Sequence, residues 1–127
     1  MTYKIMIVDD SKLARMSVAK VLGVLQPDWV RVEAANADEA LLMLEQERPD
    51  IAIMDFNMPG RDGLELAAAL RGRDPDMPLA VISANIQDEI IERTHQVGAA
   101  FLPKPLKEQA LADFLSGAQL RLKAAAT

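Results

Sequence analysis

Five residues in this sequence carry side chains suited to joint chemistry: Asp9, Asp10, Asp55, Ser83 and Lys104. Each follows a short apolar run. Residues 5–8 precede Asp9-Asp10, residues 51–54 precede Asp55, and residues 79–82 precede Ser83. Residues 99–102 lead across Pro103 to Lys104. If these runs are strands of one open parallel sheet, the residues behind them gather outside its carboxyl edge, where such sheets bind ligands. Three carboxylates placed together repel, and some would bind protons unless a cation sits among them. Oxygen donors without histidine suit a hard ion, Mg²⁺ rather than Zn²⁺. A carboxylate flanked by such an ion, an ammonium and a hydroxyl is equipped to attack phosphorus and form an acyl phosphate. Positioning and charge neutralisation are most of what phosphoryl transfer requires.

The elements that must hold these residues are legible. Runs 5–8, 51–54 and 79–82 are continuously apolar, as in strands covered on both faces. Residues 30–35 alternate like an edge strand, and residues 99–102 form a fifth run. Between them lie amphipathic stretches. Ala14, Val18, Val21, Leu22 and Leu25 share one helical face, and Ala37, Ala40, Leu41 and Leu44 share another. The second helix opens with Asn36 and Glu39 at capping-box spacing. A third follows Asp62, with Glu65 three residues on. The fourth is predicted over about 86–97, stopping at Gly98. The fifth puts Leu111, Phe114, Leu115, Ala118 and Leu122 on one side. Alternating strands and helices predict a doubly wound α/β domain, a five-stranded parallel sheet with helices on both faces. One domain is expected over 1–127, with its core at about 4–122 and a frayed tail at 124–127.

Composition narrows the function classes. The chain has no Cys and one His, which excludes thiol chemistry, disulfides and a multi-histidine metal site. Its formal net charge is −5, with no cluster of Lys and Arg, so direct nucleic-acid binding is not expected. The first apolar run is too short for a signal peptide or a membrane span. A cytoplasmic, monomeric protein that meets other proteins is the expectation.

Val8-Asp9-Asp10-Ser11, the stretch 55–63 from Asp55 to Gly63, Ser83-Ala84 and Lys104-Pro105 occur in this order behind the predicted strands. Together they resemble the receiver domains of response regulators, over about residues 4 to 122. The resemblance implies a flavodoxin-like sheet of order 2-1-3-4-5. It also implies a phosphoprotein of two-component signalling, in a phosphorelay or as a stand-alone chemotaxis-type messenger. In that reading Asp55 is the phosphoacceptor. Asp10, Asp55 and the Asn57 backbone carbonyl ligate Mg²⁺, and Asp9 acts through water. Ser83 and Lys104 meet phosphoryl oxygens, and the Lys104–Pro105 peptide is cis. Gly63 resembles the glycine that lets the loop turn into the third helix. Ser83 and Phe101 form the switch, with Phe in place of the frequent Tyr, so the switch works by packing alone. Asn57 and Asn85 occupy positions that tune hydrolysis of the acyl phosphate. A sensor histidine kinase or phosphotransfer protein would donate the phosphoryl group. A downstream protein would read the face made by the fourth helix, fifth strand and fifth helix.

Plainer readings stand beside these. Asp9-Asp10 can be a strand stop and helix cap, and Ser83 can cap the fourth helix. Lys104 alone reads as a surface lysine, and Arg61, Arg71 and Arg73 as surface charges. His95 falls on a polar helical stretch, and Trp29 is expected away from the site. Two functional rivals remain. An aspartyl-nucleophile phosphatase would need an acid two residues after Asp55, where Asn57 stands, and a cap that the sequence lacks. A receiver-like binding module would never be phosphorylated, a reading the intact acidic cluster opposes.

Overall fold

The computed structural model describes residues 2–126. Five strands alternate with five helices in chain order. They are β1 (Lys4–Val8), α1 (Lys12–Leu25), β2 (Val30–Ala34), α2 (Ala37–Glu47), β3 (Ile51–Asp55), α3 (Gly63–Arg73), β4 (Leu79–Ser83), α4 (Asp88–Gln96), β5 (Ala100–Pro103) and α5 (Glu108–Ala126). All pairings are parallel, in the order β2-β1-β3-β4-β5.

The period of two along each strand divides the core. Met6, Val8, Ala52, Met54, Leu79 and Val81 face one layer, packed with Ala37 and Ala40 of α2, Leu66 and Leu70 of α3 and Ile90 of α4. Ile5, Ile7, Ile51, Ile53, Ala80 and Ile82 face the other, against Val18 and Leu22 of α1 and Leu111 and Leu115 of α5. This is why β1, β3 and β4 read as unbroken apolar runs. The outer strand β2 departs from its alternation: Val30, Val32 and Ala34 share a face, yet burial deepens along it from an exposed Val30 to a buried Ala34.

Helix starts follow from local chemistry. Ser11 caps α1, its side chain accepting the Ala14 N–H at 3.2 Å, so neither Asp9 nor Asp10 is the cap. Asp62 and Glu65 form a complete capping box on α3. Asn36 caps α2 by accepting the Glu39 N–H, but the Glu39 carboxylate accepts the Ala35 N–H and the Asn36 side-chain amide rather than the Asn36 backbone N–H, so that box is half formed. The fourth helix begins at Asp88, later than predicted. Its cap is Gln87, without a side-chain bond, and not Ser83. The expected frayed tail is helical through Ala126, in keeping with the high helix propensity of alanine; Thr127 lies outside the described residues.

Arg71 is a second correction. It is not a free surface charge: its guanidinium is half-buried and donates to the carbonyls of Asp74, Pro75, Met77, Val97 and Gly98 at 2.7–3.2 Å. It closes the carboxyl ends of α3 and α4 together, where helix dipoles favour a cation. Desolvation lowers its pKa, and the neighbouring Arg121 lowers it further. Arg73 instead pairs with Glu45 on the surface, and His95 is exposed.

Trp29 is buried at the amino-terminal end of the sheet, edge-on to Tyr3 with ring centroids 5.3 Å apart. Its fluorescence is therefore expected to follow unfolding and to ignore Mg²⁺. Read by that signal in urea, Arg71→Met should lose about 2–3 kcal/mol, because carbonyls served by a charged donor are left behind. A loss within a few tenths of a kcal/mol would show the clamp to be idle.

Candidate functional site

Strand register brings the five residues together. Val8 pairs with Met54, which sets Asp9 level with Asp55. Asp55 pairs with Ile82, so Ser83 is one step beyond. Ser83 pairs with Pro103, and the Lys104 N–H donates to the Ser83 carbonyl at 3.0 Å. All five thus stand at the carboxyl edge of the sheet, on adjacent strands β1, β3, β4 and β5.

Carboxylate oxygens of Asp9, Asp10 and Asp55 lie within 4.8 Å of one another. Asp9 and Asp55 are buried, whereas Asp10 is exposed. Lys104 Nζ is 2.7 Å from Asp55 Oδ1, and the lysine side chain is 40% exposed against 6% for the aspartate. The lysine is thus a solvent-reaching arm laid onto a buried anion. Asp9 Oδ1 accepts the Ser11 N–H at 2.9 Å, which turns its carboxylate into the cluster. The pKa of Asp9 is raised, chiefly by burial. The Ser11 N–H opposes that rise, the Asp55 carboxylate adds to it, Lys104 opposes it, and Asp10 adds to it. A group pushed toward its neutral form by burial and by like charges wants a cation beside it. The donors are all oxygen, one of them solvent-open, and this suits an ion such as Mg²⁺ that keeps part of its water.

The remaining predicted residues surround this cluster. Ser83 is buried, and its Oγ accepts the Asn85 N–H at 2.9 Å. Asn85 Oδ1 in turn accepts the Gln87 N–H at 3.0 Å, linking the Ser83 hydroxyl to the start of α4. Phe101 is partly buried against the core layer shared by α3 and α4. Asn57 is exposed in the loop after β3. The Lys104–Pro105 peptide is cis, as expected.

Gly63 opens α3, as expected, and does so by lacking a side chain. A Cβ there would land on the Asp55 carbonyl and crowd Phe56, so the glycine permits close approach of α3 to the end of β3. The turn itself is taken by Gly60, at φ +77°. Arg15 was not singled out by the sequence. It reaches from α1 to the Asp9 carbonyl and to Glu33 of β2. No spacing rule joins Arg15 to Glu33, and only the β1–β2 register brings them close.

Fold and acidic edge define a class, the receiver of a response regulator. The chain belongs to that family: the response regulator receiver domain model matches residues 5–116. Among curated relatives, it is similar to the positive alginate biosynthesis regulatory protein of Pseudomonas aeruginosa. The two are 41% identical over 118 residues, covering 90% of this chain and 46% of that protein. It is also similar to the response regulator MprA of Mycobacterium tuberculosis, 37% identical over 109 residues, 83% of this chain and 45% of the relative. The chain therefore spans about half the length of these relatives. Among solved structures, the chemotaxis protein CheY4 of Vibrio cholerae superposes with a TM-score of 0.82 at 28% identity, covering 93% of this chain and 99% of that one. Receivers are signalling domains rather than catalytic enzymes, and phosphorylation-mediated switching is general to the family. They interact with histidine kinases and downstream targets and typically use Mg²⁺ at the acidic pocket. No helix among the described residues is long and apolar enough to cross a membrane.

The raised pKa of Asp9 sets a pH signature. A carboxyl that prefers its neutral form when folded costs stability as pH rises through its folded-state pKa, and costs nothing below the unfolded value of about 3.9. In EDTA at pH 7, Asp9→Asn should therefore raise Tm. The advantage should vanish toward pH 4 and shrink or reverse when Mg²⁺ is added. A Tm lower than wild type in EDTA at pH 7 would refute this account.

Proposed function

We propose that this receiver is switched by Mg²⁺-dependent phosphorylation of Asp55, with a phosphohistidine on a sensor kinase or phosphotransfer protein as donor. The observation carrying the proposal is a buried carboxylate with the Lys104 ammonium 2.7 Å from one oxygen and two further carboxylates within 4.8 Å. Asp10, Asp55 and the Asn57 carbonyl would hold the ion, with Asp9 acting through water. When bound, the ion supplies charge neutralisation to the carboxylates and the incoming phosphoryl group. An Asp55 oxygen attacks phosphorus as the bond to the imidazole nitrogen breaks. That bond's electron pair returns to the ring, which leaves neutral or takes a proton from solvent. Lys104, with its head at the solvent boundary, can follow the negative charge from the carboxylate to a phosphoryl oxygen. Asn57 and Asn85 occupy the positions that, by the family resemblance, tune the rate at which the acyl phosphate is later hydrolysed.

The readout runs through Ser83. A phosphoryl group on Asp55 carries roughly −1.5 to −2 charges and three acceptor oxygens, as other protein phosphates do. The Ser83 O–H donates to one of them and draws the 84–87 loop along, because its oxygen is tied through Asn85 to Gln87. Phe101 turns into the space released, and the face of α4, β5 and α5 presents a new shape to a downstream protein. Moving such an equilibrium from 1:99 to 99:1 takes about 5.5 kcal/mol, which a few charge-assisted hydrogen bonds largely supply.

Incubation with Mg²⁺ and radiolabelled acetyl phosphate tests the assignment. Wild type takes label, Asp55→Asn takes none, and EDTA abolishes labelling. Lys104→Met slows labelling roughly a hundredfold. Equal labelling of Asp55→Asn would remove Asp55 as the acceptor. A wild type that never labels would favour the unphosphorylated binding module, and steady release of phosphate from a generic ester would favour a phosphatase.

A further inference from the structure

We propose that Arg15 is the positioning residue of the cation site, an inference that rests on the reading of Asp9, Asp10 and Asp55 given above. Three polar groups of Asp9 are held. Its N–H donates to the Ala34 carbonyl at 3.1 Å, and its Oδ1 accepts the Ser11 N–H at 2.9 Å. Its carbonyl accepts Arg15 Nη1 at 2.5 Å. The same guanidinium donates through Nε to Glu33 Oε1 at 2.9 Å, and the Arg15 side chain is only 14% exposed. Arg15 is itself fixed on the first turn of α1, where its N–H donates to the Ser11 carbonyl at 3.0 Å. One side chain thus ties the end of β1 to α1 and to β2.

The clamp has work to do because of like charge. Asp9, Asp10 and Asp55 hold carboxylate oxygens within 4.8 Å. Their repulsion is relieved most easily by swinging the short 9–11 loop outward, since Asp55 is fixed at the end of a central strand. Asp10 stands between Asp9 and Ser11, both of which the Arg15 contacts restrain, so its position follows from theirs. Groups behind a ligand that fix its orientation commonly govern metal affinity by 10–100-fold.

The sign of the effect separates positioning from plain charge. Arg15 is a cation near the site. By Coulomb's law alone its removal would tighten Mg²⁺ binding, whereas loss of the clamp loosens it. Arg15→Lys keeps the charge, but a single ammonium cannot span both acceptors as the planar fork does. It should therefore weaken binding at least as much as Arg15→Gln.

Titration of the metal-free protein with MgCl₂, followed by ¹⁵N chemical shifts, measures Kd. Amide exchange in EDTA measures the loop. Wild type and the surface control Arg73→Gln should bind alike. Arg15→Gln should bind about tenfold more weakly, with Ser11 N–H exchange about tenfold faster and Ile53 exchange unchanged. Glu33→Asp, which keeps the charge but is one methylene shorter and so draws the carboxylate away from Arg15, should weaken binding in the same direction, and it carries the test should Arg15→Gln fail to fold. Arg15→Gln or Glu33→Asp binding Mg²⁺ as tightly as wild type, or more tightly, overturns the proposal. Absence of binding in the wild type overturns the site assignment and this inference together.

Discussion

The structure turns on one electrostatic conflict, three carboxylates gathered at the mouth of an apolar sheet with a single ammonium laid among them. Asp9 and Asp55 are buried there at a cost that the apolar layers must cover. The Lys104–Asp55 pair relieves part of the strain without ending it, since Asp9 still leans toward its neutral form. Such a site is a poor choice for stability and a good one for function. In the function proposed above, the site accepts a cation and, beside it, a group that brings its own negative charge.

Most of what resolves the conflict lies outside the five residues themselves. Strand register levels Asp9 with Asp55 and sets Ser83 one step beyond and Lys104 a step beyond Ser83. Gly63 lets α3 close onto the Asp55 carbonyl, where any side chain would collide. Arg15 pins the Asp9 carbonyl from behind, and the Ser83–Asn85–Gln87 bonds connect the pocket to α4. The apolar layers supply the rigidity, and short polar bonds at the strand ends supply the aim.

The sheet and the site were readable from sequence for a common reason: both are local patterns. Continuous apolar runs mark strands covered on two faces, and topology alone sends the residue after each strand to the same edge. Asp55, Asp9, Asp10, Ser83 and Lys104 could therefore be placed together without coordinates. The family resemblance supplied the strand order. Long-range polar contacts leave no such trace. The reach of Arg71 to the Val97 and Gly98 carbonyls and of Arg15 to Glu33 joins segments far apart in the chain, so Arg71 reads as surface from sequence and Arg15 carries no signal there. Caps were partly legible. Asp62 with Glu65 formed the complete box, while the start of α4 lacks any capping side chain and was misjudged by two residues.

The Arg71 clamp has a consequence for how the molecule comes apart. Its guanidinium belongs at once to α3, to the loop before β4 and to the α4–β5 corner. Local opening of any one of these exposes a charged donor and several carbonyls that the others still need. That half of the domain is therefore expected to open as one block, out to the root of α4. Any displacement of α4 is then expected at its opposite end, where the cap Gln87 makes no side-chain bond, with the arginine marking the fixed end.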